Sequence, residues 1–196
     1  MSLPLQAAAF LLLSVAGLSG CNASEPSAEP PAPSITEQGG LGAMATAELR
    51  QELATENLSL DNDDGKLPKA ELSPRGELLI DGKAVPLDAR QQAIALDYRS
   101  QMAAVALAGA EVGLQGAALA KIAMKEAAKA VFGGNQAEME ARIEAEAEGV
   151  KTAALALCGR LPELLASQTR FAEAVPEFVP YARMTQKDIE ECEVDL

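Results

Sequence analysis

The chain has 196 residues, a formal net charge of −13, 23% charged residues, and neither His nor Trp. That charge disfavours nucleic acid and anionic headgroups as partners. The missing His excludes His-based triads, His-ligated zinc and imidazole proton shuttles.

The first residues read as an address. Ala7 to Val15 form an apolar run, too short for a membrane span and followed by the small residues Ala16 to Gly20. Leu18-Ser19-Gly20-Cys21 resembles a bacterial lipobox, in which Cys21 is acylated and becomes the first residue of the mature protein. Nothing from Met1 to Gly20 is basic, a departure from such signals that a start codon placed too far downstream explains. Asn22, rather than Asp, follows the cysteine, which resembles the sorting pattern of outer-membrane lipoproteins. The expected organisation is a signal peptide over 1–20, a lipidated tether over 21–44 and a domain over 45–196. The tether, with Pro26, Pro30, Pro31 and Pro33, lacks the apolar content to offset its ordering entropy, and its reach is about 60 Å.

Ala45 to Glu56 is expected to form a short helix, and Leu58 to Leu60 a strand. Asp81-Gly82 between Gly76–Ile80 and Lys83–Leu87 is a hairpin signal, because a type I′ turn needs positive φ at both central residues. Asp61-Asn62-Asp63-Asp64-Gly65 is reminiscent of a calcium loop with Glu71 as the bidentate ligand. The first ligand position then falls on Leu60, which has no side-chain oxygen, so a solvated turn is the expected state.

Asp88 followed by Gln91 is a capping-box start. Met102, Val105, Gly109, Val112, Gly116, Leu119 and Ala123 then recur at steps of three and four. Gly133-Gly134-Asn135 ends this helix and starts a second, with Met139, Ile143, Ala147, Val150, Ala154, Leu157, Leu161 and Leu164 as its stripe. Two such stripes predict an antiparallel helical hairpin. Its glycines imply either close packing of the two backbones or a break near 109–116. Ser100 to Ala120 carries one charge, Glu111, so a membrane segment must be weighed. A central carboxylate costs at least ~2.5 kcal/mol to insert, which Ala does not offset. A buried central helix is the expectation, and a membrane or oligomer surface the alternative. Gly109 and Gly113 also match G-x-x-x-G, which in water usually marks close packing.

Glu138 is placed to pair with Arg142, and Glu140, Glu144 and Glu148 are spaced to ligate a hard cation but read as a solvated face. Pro162 predicts a break after Cys158-Gly159-Arg160, Val175 to Tyr181 is expected to be extended, and Thr185 with Asp188 to cap a last helix. With Cys21 acylated, Cys158 and Cys192 remain as a pair for a disulfide in an oxidising compartment. A redox thiol is the rival reading, without a C-x-x-C pair or a basic cluster to lower a pKa.

Glu77-Leu-Leu-Ile-Asp-Gly-Lys-Ala-Val-Pro-Leu87, Tyr98-Arg99, Gly113-Leu-Gln-Gly-Ala117, Arg142-Ile-Glu-Ala-Glu146 and Cys158-Gly-Arg-Leu-Pro162 resemble the YggN-like family of secreted Gram-negative proteins. The resemblance spans roughly Glu48 to Cys192. It implies an envelope location and a shared domain, and brings no activity.

The expected fold is α+β and mostly α, a long Ala-rich antiparallel helical hairpin with a small N-terminal β-hairpin. The expected role is that of an outer-membrane lipoprotein facing the periplasm, bound to the membrane through its lipid, with an envelope protein as partner. It needs no cofactor, and no pair of acids is set apart for catalysis. The alternative is a carrier for an apolar small molecule or lipid, which requires an apolar pocket of about 300 Å³ or more.

Overall fold

The computed structural model describes residues 35–60, 66–131, 133 and 135–194. Their order is α1 (Ile35–Thr55), β1 (Leu58–Ser59), β2 (Ala70–Leu72), β3 (Leu78–Ile80), β4 (Lys83–Ala84), α2 (Ala89–Val131), α3 (Gln136–Cys158), α4 (Leu161–Ala174), a 3-10 helix (Pro176–Tyr181) and α5 (Gln186–Val194). The fold is α+β and mostly helical. Its four strands form one antiparallel sheet in the order β1-β2-β3-β4.

The β3–β4 turn is the one the sequence announces: Asp81 has φ 49° and Gly82 φ 71°. Strand β2 has no such signal. It is set by pairing, Leu58 opposite Leu72 on one side and Ala70 opposite Ile80 on the other. Between β2 and β3 the turn closes on Ser73, whose hydroxyl donates to the Glu77 carboxylate at 3.0 Å and accepts from the Glu77 amide at 3.0 Å. That hydroxyl, with Arg75 beside it, holds the Glu77 carboxyl below its ordinary pKa. Gly76 ends the turn with φ 78°, and a Cβ there would lie 2.8 Å from Leu96 Cγ and 2.9 Å from the Gln92 carbonyl oxygen of α2.

The core lies where this sheet meets the start of α2, the end of α4 and the 3-10 helix. Leu72, Leu78, Ala95, Phe171, Val175 and Phe178 are fully buried. The rings of Phe171 and Phe178 stack at 4.2 Å, with Tyr98 at 5.2 Å from Phe178. Val175 to Tyr181 thus differs from the extended segment expected of it. Only Val175 is extended, and from Pro176 the chain winds as a 3-10 helix, because the fixed proline φ suits that geometry.

Helix α1 begins at Ile35, ten residues before the expected start, within what reads as tether. Its half-buried positions Gly42, Thr46, Leu49 and Leu53 recur at steps of four, three and four. This stripe supplies tertiary contacts that outweigh the poor helix propensity of its glycines. A Cβ on Gly42 would come 3.3 Å from the Leu114 side chain. At the other end, the buried Arg99 guanidinium donates at 2.6 Å to each of the carbonyls of Leu53, Glu56 and Leu72. A cation thereby satisfies the open C-terminal carbonyls of α1 and ties them to β2. Burial pulls the guanidinium below its ordinary pKa.

Helix α2 is continuous over 43 residues, about 65 Å at 1.5 Å per residue. It starts on the expected capping box: the Gln91 amide donates to Asp88 at 2.8 Å and the Asp88 amide to Gln91 at 2.9 Å. Helices α3 and α4 return beside it, broken at Gly159-Arg160 with Pro162 in the first turn of α4. Gln91 donates to the Ala174 carbonyl, Arg170 pairs with Asp97 at 2.6 Å, and Arg142 reaches Glu126 at 3.4 Å. The paired numbers sum to nearly the same value throughout, as an antiparallel register requires.

Candidate functional site

Two neighbours, α1 and α3, cover part of the circumference of α2 beyond the core. Leu114 faces α1, while Gln115 and Glu126 face α3, with Gln115 Oε1 3.4 Å from where a Cβ on Gly149 would sit. Gly116 lies about 100° around the helix from Gln115 and so turns away from α3. A Cβ built on Gly109, Gly113 or Gly116 would meet nothing within 4 Å. Their steps of four and three place the three on one face, which Ala120 and Met124 continue at steps of four. Gly113 and Ala120 are exposed, and so is the large apolar side chain of Met124, at 67%.

This overturns two expectations. The glycines are explained neither by close packing against α3 nor by a break, because the helix runs through them and their open side touches nothing. Nor is the middle of the helix buried. An 18-residue stretch within Ala89–Lys129 has a mean hydropathy of 1.5, long and apolar enough by length and composition to cross a membrane, and none of it is buried. The apolar stripe in the sequence marks the edge between covered and open faces, so its period alone did not say which side is packed.

At the hairpin turn, Gly133 takes φ 85° and the Asn135 side chain caps α3 through the Ala137 amide at 3.2 Å. Glu126 is buried there, with Lys129 at 2.6 Å and Arg142 at 3.4 Å on the same oxygen. The Lys129 ammonium, supplemented by the Arg142 and Lys125 charges, keeps the Glu126 carboxyl below its ordinary pKa. Arg142 therefore reaches across the hairpin to Glu126 instead of pairing with Glu138 as its spacing suggests. A cleft of about 160 Å³ adjoins this group, lined by Asn135, Gln136, Glu138 and Met139 among others. A second, of about 400 Å³, lies at the base between Asp88, Arg90, Ile94, Arg170 and Glu173. Both are lined mainly by charged and amide side chains.

Cys158 and Cys192 form a disulfide, with Cα atoms 5.7 Å apart. It holds α5 against the end of α3. Gln168 reinforces the join, donating to the Met184 carbonyl at 2.9 Å and accepting from the Met184 amide at 3.1 Å. Thr185 and Asp188 close the start of α5 together: the Asp188 carboxylate accepts from the Thr185 hydroxyl at 2.7 Å and from the Thr185 amide at 2.6 Å, which lowers the Asp188 pKa.

Among the described residues no three His, Cys, Asp or Glu side chains group as a metal site. Glu71 lies in β2 and pairs with Lys69 at 2.9 Å. Cys21, the apolar run Ala7–Val15, the tether up to Ser34 and the loop Asp61–Gly65 lie outside the described residues. Glu126 escaped the sequence reading, and Arg99 entered it only within Tyr98-Arg99, with no role attached. The one available signal for Arg99 was a cation beside the apolar residues that lead into the uncharged stretch. Comparison with known protein families, curated proteins and solved structures yields no match for this chain.

Proposed function

We propose that this chain is a lipid-anchored protein of the periplasm, acylated at Cys21 and held at the outer membrane, with a non-enzymatic interaction or structural role. The observation that carries the interaction role is the exposed edge of α2 at Gly113, Ala120 and Met124, on a charge-poor stretch that is half-buried at most of its other positions, in a chain of net charge −13. Exposed apolar residues on a helix face rimmed by charge suit contact with a partner. The address rests on Leu18-Ser19-Gly20-Cys21, and the YggN-like resemblance supports the same compartment. The disulfide suits an oxidising compartment.

In this reading residues 1–20 are removed and the tether runs from Cys21 to Ser34, shortened by the early start of α1. Its thirteen residues after the cysteine, 22–34, reach about 40 Å in a polyproline-like state. Two or three acyl chains, at about 0.8 kcal/mol per buried methylene, make the attachment effectively permanent. A carrier role has less in its favour, since charged walls such as those of the two clefts suit an apolar ligand poorly.

The test compares native chain with Cys21→Ala in envelope fractions, with crosslinking and pulldown from each. Native chain is expected with the outer membrane and bearing acyl groups by mass spectrometry, and Cys21→Ala in the soluble fraction with fewer crosslinked partners. Identical fractionation and identical partners defeat the anchored reading.

A further inference from the structure

We propose that helix α5 is a redox-released strap. The Cys158–Cys192 disulfide holds it on α3 and α4, and reduction by a protein dithiol of the thioredoxin type lets it go while the rest of the fold stays. The strap lies at the C-terminal end of the chain and works in the same way whether or not the chain is anchored. Little besides the bond keeps α5 in place. It has nine residues, fewer than the ~12–15 below which an isolated helix is marginal in water. Gln186, Lys187, Asp188, Glu190 and Glu191 are exposed. Among its described side chains, only Ile189 is buried and only Cys192 half-buried.

The charges of α5 oppose its own helix. Lys187 stands in the first turn, where the macrodipole favours acids, and Glu190 and Glu191 follow with no cation in the last turn. Lys187 does pair with Glu191 at 3.0 Å, with both side chains largely exposed. The cation precedes the acid, which is the weaker order for a pair four residues apart. An acidic helix is also repelled by a chain of net charge −13. In its favour, Asp188 closes the start of the helix on Thr185. The firmer attachment lies before the helix, where buried Gln168 of α4 holds the Met184 backbone through two hydrogen bonds. That contact does not involve α5, so it sets the hinge between Met184 and Thr185.

The two half-cystines differ in access: Cys158 is 3% exposed and Cys192 is half-buried. A thiolate of the dithiol attacks the Cys192 sulfur, the S–S bond breaks, and Cys158 leaves as a thiolate that takes up a proton. The second thiol of the reductant gives up its proton and attacks the mixed disulfide. It forms the reductant's own disulfide and frees Cys192, which is protonated in turn. Two electrons and two protons thus pass from the dithiol to the chain. Once α5 has left, the Cys158 thiol lies open at the end of α3.

The experiment reduces the full chain with dithiothreitol and reads it by a short deuterium pulse and by iodoacetamide, each located by peptide mass spectrometry. Amides of Gln186–Val194 are expected to exchange about tenfold faster or more after reduction, and equally fast in Cys158→Ser/Cys192→Ser, while those of Leu72, Leu78 and Phe171 stay protected. Cys158 is expected to alkylate within about tenfold of the rate of Cys192. The charge swap Lys187→Glu/Glu191→Lys keeps the net charge and puts the acid first. It is expected to raise the equilibrium constant for bond formation by oxidised dithiothreitol about threefold. A change that stabilises helical α5 favours the oxidised chain only if reduction releases α5. An α5 still protected after reduction overturns the strap, as does a Cys158 that alkylates about 100-fold slower than Cys192 or an equilibrium indifferent to the swap. Exchange of Leu72, Leu78 and Phe171 in the same pulse as α5 also overturns it, since the bond then holds the whole fold.

Discussion

Tyr98 shows how one buried polar tip makes the core sensitive to pH. Packed against Phe171 and Phe178, its phenol is pushed up from the ordinary value of 10 to about 12 by burial. The folded state therefore favours the neutral phenol. Its contribution is complete below pH 10 and is lost as pH rises towards 12, where the unfolded chain ionises first. Two units correspond to about 3 kcal/mol. Urea unfolding followed from pH 8 upward should show this loss in the native chain and not in Tyr98→Phe. Gly76 is a second residue on which geometry leaves no latitude. Positive φ and a Cβ 2.9 Å from the Gln92 carbonyl combine there. Gly76→Ala should destabilise by about 2–3 kcal/mol in denaturant melts, while Gly82→Ala, with the same sign of φ but open space, should lose less. Both residues stand in plain view in the sequence, yet only Gly82 was legible. Asp-Gly is a local turn signal, whereas the demand on Gly76 comes from α2, sixteen residues away at Gln92.

Helices were easier to read than their surroundings. The capping box at Asp88, the turn at Gly133–Asn135, the stop before Pro162 and the cap at Thr185 are local chemistry, and each appears where its residues put it. Strand β2 and the first ten residues of α1 depend on partners distant in the chain, which no local pattern states. The facing of α2 was the largest misreading, because Ala and Gly give a period without saying which side is covered. This has a measurable consequence at the level of the element. Gly109, Gly113 and Gly116 lower helix propensity and no contact within the chain offsets it. Replacing all three by Ala should stabilise the isolated, soluble chain by about 1 kcal/mol per site. Calorimetry or circular dichroism melts would check this, and a decrease would mean that the glycines make contacts within the monomer.

For the molecule as a whole, two ties close long loops. Cys158–Cys192 spans 34 residues. Its removal in Cys158→Ser/Cys192→Ser should cost about 3–4 kcal/mol in the chain-entropy account, read as a lower urea midpoint. Location of the core was not legible: nothing local says that Tyr98, Phe171, Phe178 and Tyr181 converge with the small sheet.

The other tie is the hairpin. The Tyr181 hydroxyl donates to the Pro68 carbonyl at 2.9 Å across 113 residues of chain, so the two parts of the core are far apart in an extended polypeptide. Folding α3 and α4 back along α2 brings Phe171 beside Tyr98 and removes most of that search. The turn at Gly133 and Asn135, at the far end from the buried core, should therefore govern how fast the core assembles. Asn135→Ala is expected to slow refolding more than it speeds unfolding in stopped-flow measurements, and Phe178→Leu to do the reverse.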